Sequence, residues 1–269
     1  MCTAWFITPR HVVTAGHCVA SGPGSYHLNE DSPGSLCCHF TQQRSTGRTV
    51  CARSSTWLLR RWVTTAGYLE GEVSGNDGAV IEVEPAAADA MRSPVVQRVT
   101  PFEPGRVGRH VAYLDGYPVP VNYDVGCRNL NISLRYATQG TVRPLWDEWG
   151  HFGMPVEYPL AGCVGQSGGR VLRGGANGAA YGIQTYGDNT CEGGRGLTGV
   201  TQLSTQASQC GVCVPCLLAA LQEDAGVAPS PSPSPSPRAS PPVPPSPSPQ
   251  VQRIVKLPVQ SPGPPPSPL

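Results

Sequence analysis

The chain has 269 residues, of which 39% are hydrophobic and 14% charged, and its formal net charge is +1. Its basic residues are scattered rather than gathered into a stripe, which excludes the electrostatic footprint of a nucleic-acid binder. Eleven cysteines are too many for a cytosolic chain that holds no metal, and most lack paired CxxC spacing, so disulfides made in an oxidising compartment are expected.

Met1 is followed at once by Cys2 and a strand-like segment, without the basic start and apolar stretch of a secretory leader, so a leader and the first strands of the fold are expected upstream. From Cys2 to about Thr100 the segments AWFIT, HVVTA and AVIEV read as strands, separated by the turn signals SGPGS, DSPGS and SGNDG. Pro101 to Gly105 (PFEPG) reads as a linker. A second set of strands follows from about Val107 to Leu203: HVAYL, ISLRYA, GRVL, AAYGIQTY and GVTQL. LLAALQED at 217–224 is the one convincing helix, placed to close the folded region. Frequent Gly and Pro favour short strands over helices, so the expected class is all-β, a barrel or sandwich. No run of about 18 apolar residues occurs to form a membrane-spanning helix. From Gly226 onward, Ser-Pro repeats cannot bury enough apolar surface to offset ordering entropy, and a disordered polyproline-type tail over 226–269 is expected. In an extracellular protein such a tail reads as a glycosylated spacer or wall tether, the alternative being a ligand for SH3-like or WW-like modules.

Three segments carry chemistry. ITPRHVVTAGHCV at residues 7–19 delivers His17 at the end of a β-rich run and next to Cys18. GCVGQSGGRVL at 162–172 flanks Ser167 with glycines, as a backbone must be built that turns sharply and presents the amides of Gly165 and Ser167 to an oxyanion. NDGAVIEV at 76–83 sets Asp77 at the start of an apolar strand. Together these runs resemble the TAxHC, GxSGG and DxAxxxL-type motifs of trypsin/chymotrypsin-like serine proteases, in that family's His, Asp, Ser order, and the resemblance spans nearly all of residues 2–203.

The resemblance implies two six-stranded antiparallel Greek-key β-barrels, the first N-terminally truncated: barrel one over about 1–100, barrel two over about 106–210, and a closing helix within a domain ending at 225. It implies a serine endopeptidase in which Ser167 is the nucleophile, His17 the base and Asp77 the orienting acid, with Gly165 and Ser167 as oxyanion donors. Activity is then expected to fall on acidification as His17 takes up a proton. Cys2–Cys18 and Cys163–Cys191 are the bridges it implies. Thr185, Tyr186 and Gly187 pair with substrate as an added strand, Ala161 lies at the base of the S1 pocket, and Gly162 with Gly187 leaves that pocket open for medium or large apolar P1 side chains. Glutamyl endopeptidases share GYP, here Gly116 to Pro118, but usually carry a histidine where this chain has Gln184. Gln166 stands where zymogen-activated members have aspartate, and Arg170 where a proline commonly follows SGG. CGVCVPC at 210–216 has spacing suited to zinc or an iron–sulfur cluster, yet extra disulfides are the expected use, and the pairing of Cys37, Cys38, Cys51, Cys127 and this group stays open. Asn131, in NIS, is a glycosylation acceptor in a secreted protein. No cofactor or metal is expected. The partners are protein or peptide substrates and, through a tail that resembles hydroxyproline-rich wall proteins, an extracellular matrix. The alternative is a non-catalytic homologue that binds through that tail.

Overall fold

The computed structural model describes residues 1–22, 25–28, 34–37, 40–42, 49–51, 56–71, 75–86, 94–102, 111–117, 136–141, 143–144, 152–157, 165–187, 195–206, 211–224 and 253–256. The first half contains β1 (Trp5–Thr8), β2 (His11–Thr14), a 3-10 turn (Gly16–Cys18), β3 (Ala20–Gly22), β4 (Ser25–Tyr26), β5 (Ser35–Cys37), β6 (Phe40–Gln42), β7 (Thr49–Cys51), β8 (Thr56–Thr64), the short helix α1 (Ala66–Leu69) and β9 (Ala79–Pro85). The second contains β10 (Val111–Gly116), β11 (Tyr136–Thr141), β12 (Arg143–Pro144), β13 (Phe152–Glu157), β14 (Arg170–Arg173), β15 (Ala180–Gly187), β16 (Arg195–Ser204), β17 (Val212–Cys213) and helix α2 (Val214–Asp224), with β18 (Arg253–Lys256) last. Two large sheets follow, one ordered β1-β2-β9-β8-β18 with β5 also on β8, the other β11-β10-β14-β15-β16-β13-β12 with β17 on β16, beside the two-stranded pairs β3-β4 and β6-β7. All pairings within them are antiparallel except β16 with β17. The expected all-β, chymotrypsin-like class is observed; against the expected two six-stranded barrels, the two large sheets have six and eight strands, β12 and β17 adding two-residue extensions to the second.

Strands β1, β2, β8 and β9 of the first sheet carry apolar residues on both faces, because each face has a core to fill. Phe6, Val12, Trp62, Ala79, Ile81 and Val83 belong to one buried cluster with Trp57 and Tyr68, inside the first half. Their neighbours Trp5, Val13, Val63 and Val80 belong to a second cluster with Leu172, Ile183, Leu203, Val212, Leu217 and Leu221, between the halves and under α2. The period-two alternation of a strand thus sends one residue into the first core and the next into the interface. Gln97 N–H donates to Phe6 O at 2.7 Å, Ala180 N–H to Arg98 O at 2.8 Å and Phe102 N–H to Leu203 O at 2.8 Å. The connection between the halves is therefore sewn to both over residues 97–102, starting earlier than the expected Pro101–Gly105 linker, whose residues 103–105 lie outside the described set.

Sequence reading missed the longest strand of the first sheet, β8. TWLLRRWVT holds two adjacent arginines in an otherwise apolar run, which obscures any two-residue period. A bulge between Leu59 and Arg61 lets both arginines find partners. Arg60 pairs with Glu84. Arg61 donates through Nε to Glu82 at 2.6 Å and through Nη1 to the Leu221 carbonyl at 2.9 Å, in the last turns of α2. The closing helix begins at Val214, three residues before its expected start, and Pro215 fits in its first turn, where no amide partner is needed. Within 226–269, expected as a disordered tail, the four residues Arg253–Lys256 form a strand on β8, with Ile254 opposite Val63 and Val255 opposite Trp62. RIVK is the β-branched, proline-free stretch of that region, so it keeps the amides that pairing needs. No helix among the described residues is long and apolar enough to cross a membrane.

His11 makes the stability of the first sheet depend on pH. It lies opposite Glu82 on β9, and its ring Nδ1 is 2.7 Å from Thr8 Oγ1. Burial, ahead of the opposing attraction of Glu82 and the repulsion of Arg10 and Arg61, holds its pKa below the ordinary value. The unfolded chain therefore takes up the proton first on acidification, so stability falls as pH drops through about 6.5. Denaturant midpoints between pH 8 and 5 are expected to decline, and the His11→Gln variant to decline less steeply. Equal slopes would remove His11 from the account.

Candidate active site

His17 and Asp77 are brought together by two segments that the local sequence fixes. β2 ends at Thr14, and the following turn is closed by Cys18 N–H to Ala15 O at 3.2 Å and Val19 N–H to Gly16 O at 3.0 Å. The Cys2–Cys18 disulfide holds that turn to the start of the chain. In the chain-entropy view a loop of this size contributes about 3 kcal/mol. Asp77 lies between α1 and β9. Thr64 and Thr65, at the end of β8, donate their hydroxyls to Gly78 O at 2.8 Å and Asn76 O at 2.6 Å, and so clamp the backbone on both sides of Asp77.

Asp77 is 4% exposed, and both carboxylate oxygens face His17. Oδ1 accepts from the His17 backbone N–H at 2.8 Å, and Oδ2 lies 2.8 Å from ring Nδ1. An ionised carboxylate can only accept, so Nδ1 is the donor, and in the neutral ring Nε2 keeps the lone pair. Gly16 keeps this approach short, since a Cβ there would come within 3.0 Å of Asp77 Oδ1. The Asp77 charge also reaches Tyr68. Burial first, then this charge, pushes the phenol up to about 12, and its hydroxyl donates to Ala20 O at 3.0 Å.

Ser167 sits, partly exposed, in a turn from 165 to 169 that is tied from several directions. Gly165 and Gly168 have φ of +92° and +87°, which only glycine adopts without strain. Thr3 N–H donates to Ser167 O at 2.8 Å, Thr3 Oγ1 to Gly165 O at 2.8 Å and Trp5 Nε1 to Gly168 O at 3.1 Å. From the other side Gly168 N–H donates to Gln184 O at 2.7 Å and Gln184 N–H to Gly169 O at 2.8 Å. Ser167 O lies 3.9 Å from Cys18 Sγ, so the serine turn packs against the residue that follows His17. Among the described residues, neither the Gly165 nor the Ser167 amide donates a backbone hydrogen bond.

Of the expected substrate-binding set, Gln184 is 1% exposed, and its Oε1 has no hydrogen-bond partner among the described residues. Thr185 is buried, its hydroxyl 3.4 Å from Gly199 O. β14 pairs with β15 only as far as Ile183, and the serine turn takes Gln184, so residues 185–187 have β16 on one side and no described strand on the other. Arg170, 9% exposed, donates to Gln97 Oε1 at 2.7 Å, and Gln97 in turn donates to Gly178 O at 2.6 Å. Ala161, Gly162, Cys163, Cys191 and Asn131 lie outside the described residues. Two further bridges, Cys37–Cys51 and Cys213–Cys216, join the expected Cys2–Cys18. The last of them uses two members of the 210–216 cluster. The one group of metal-ligating side chains among the described residues is Cys2, His17 and Cys18, and its two sulfurs are bonded to each other. Thr3, Thr64 and Thr65 were not legible in advance, because a lone threonine carries no local signal of the carbonyl it will reach.

No protein-family model and no curated protein matches the sequence. Among solved structures, a thermostable serine protease AL20 from an extremophilic microorganism matches with TM-score 0.56 and 18% identity, over 75% of this chain and 83% of that one. A Glu endopeptidase matches with TM-score 0.54 and 16% identity, over 82% and 85%. The protease Anisep from Arthrobacter nicotinovorans matches with TM-score 0.54 and 17% identity, over 80% and 86%. At these identities the likeness is one of fold, and the fold is that of chymotrypsin-type serine proteases.

Proposed function

We propose that this chain, which has the chymotrypsin-type fold, is a serine endopeptidase that cleaves protein or peptide substrates through an acyl-enzyme. The observation that carries the reading is the double acceptance of His17 by buried Asp77, which holds the ring with Nε2 free to take a proton. Ser167 Oγ attacks the scissile carbonyl as His17 Nε2 removes its proton, and the Gly165 and Ser167 amides hold the oxyanion. Protonated His17, stabilised by Asp77, then donates to the leaving amine. Water repeats the sequence on the acyl-enzyme and releases the acid. The substrate backbone pairs as an added strand along 185–187. The specificity read from the residue types at Ala161, Gly162 and Gly187 is for medium or large apolar P1 side chains.

Three disulfides among the described residues support a site of action in an oxidising, extracellular setting. There Asn131 is open to glycosylation, and the Ser-Pro region serves as a wall or matrix tether. The test is labelling of the purified full chain by a fluorophosphonate. Labelling is expected in the folded protein and absent in Ser167→Ala and after heat unfolding. A folded protein that takes no label would mean a non-catalytic homologue.

A further inference from the structure

We propose that the Cys213–Cys216 bridge is a thiol–disulfide exchange site, attacked at Cys216 by the thiolate of a soluble dithiol, with Cys213 as the leaving sulfur. The sequence Cys213-Val214-Pro215-Cys216 straddles the junction between β17 and α2. Cys213 is the last strand residue, and Cys216 is in the first turn of an eleven-residue helix. Cys213 is 4% exposed, whereas Pro215 is exposed and Cys216 partly so, which makes Cys216 the half that a reagent reaches. The Cys216 backbone N–H donates to Cys213 Sγ at 3.3 Å. Negative charge left on Cys213 is therefore met by that amide and by the positive end of the helix.

The exchange balances without any further reagent. The attacking sulfur bonds to Cys216 Sγ as the Cys213–Cys216 bond breaks, and the electron pair leaves on Cys213. The second thiol of the dithiol then attacks the mixed disulfide and releases Cys216. Both protein sulfurs take up protons, and the dithiol leaves as a disulfide, two electrons poorer.

The fold also favours this bridge over the other two as the one that opens. Its sequence separation is 3, against 16 for Cys2–Cys18 and 14 for Cys37–Cys51, so it restricts the unfolded chain least, and opening it costs the folded state least. Both of its flanks stay held by other means. Val212 and Cys213 pair with Leu203 and Ser204 of β16, and Val212, Val214, Leu217 and Leu221 are buried in the interface core. The same strand lies beneath the Asp77 loop. A Cβ on Gly78 would meet Val212 Cγ2 at 2.5 Å, and one on Gly75 would be 3.7 Å from the Gly211 amide nitrogen. A change at the bridge is thus one packed contact away from the residue after Asp77.

The experiment exposes the full-length protein to graded dithiothreitol under native conditions, quenches with N-ethylmaleimide and maps each cysteine by peptide mass spectrometry. Cys213 and Cys216 are expected to be alkylated at least tenfold faster than Cys2, Cys18, Cys37 and Cys51, with the near-ultraviolet circular dichroism retained. With glutathione disulfide, Cys213→Ser is expected to carry glutathione on Cys216, and Cys216→Ser to load Cys213 at least tenfold more slowly. Alkylation no faster than at the other bridges overturns the proposal. So does faster loading of Cys213, or a starting protein in which Cys210 is bonded to either sulfur. The alkylation rates are read on the unmutated chain, so a variant that fails to fold leaves the proposal fully exposed to refutation.

Discussion

Exchange of Asp77 for asparagine is expected to lower kcat by about four orders of magnitude, roughly 5 kcal/mol of transition-state stabilisation, while the protein stays folded. The reason lies in which atoms can donate. Asparagine Oδ1 can keep the bond from the His17 backbone N–H, now 2.8 Å, so the loop retains its tie. Its Nδ2 then stands where Oδ2 accepts from ring Nδ1, also at 2.8 Å, and an amide NH2 can only donate. The ring must turn its Nδ1 lone pair to that donor, which moves the ring proton to Nε2, the atom that has to accept the proton of Ser167. Thr64 and Thr65 are untouched and continue to clamp Gly78 O and Asn76 O. Steady-state kinetics beside a thermal melt checks this. A kcat within tenfold of the parent, in a folded variant, would remove Asp77 from the mechanism.

The second large effect is structural and is expected at Gly168. A Cβ there would come within 2.1 Å of Thr3 O, 2.4 Å of Thr14 Oγ1 and 3.1 Å of the Ala15 amide nitrogen. None of these can step aside cheaply, because Thr14 Oγ1 already donates to Thr3 O at 2.8 Å, and Thr3 N–H is bonded to Ser167 O. Gly168→Ala is expected to cost about 3 kcal/mol or more in unfolding free energy and to abolish fluorophosphonate labelling. Gly174 is the control. Its φ is +73°, and a Cβ there would meet nothing within 4 Å, so Gly174→Ala carries only the backbone cost of about 1 kcal/mol. Equal losses in the two variants would show that the crowding at Gly168 is relieved by movement. Urea midpoints of both proteins decide it.

What could be read from the sequence was what neighbours in the chain determine. His17 is legible because the strand before it and the cysteine after it form one short run. Ser167 is legible because a sharp turn with positive φ on both sides needs glycines at fixed offsets. Asp77 is legible because SGNDG precedes an apolar strand. β8 was not, since its arginines are accounted for by Glu82, Glu84 and the Leu221 carbonyl, partners that no local pattern announces. Nor was Thr3, whose hydroxyl bonds to Gly165 O across 162 residues. The bridges Cys37–Cys51 and Cys213–Cys216 could not be picked out from eleven cysteines, because pairing is decided by which strands come to lie side by side. The strand at Arg253–Lys256 was hidden by the Ser-Pro repeats around it, whose composition dominates any window that includes it.

The stitching of Thr3 to the serine turn also sets a clock. At about 5–20 residues per second of synthesis, roughly 8 to 32 s separate the appearance of Thr3 from that of Gly165, its partner 162 residues on. Until then His17 and Asp77 exist in the chain without the serine turn that packs beside them. Pairings of such long reach also fold slowly once the chain is complete. The serine turn is tied down only when Thr3 and residues 165–168 have met.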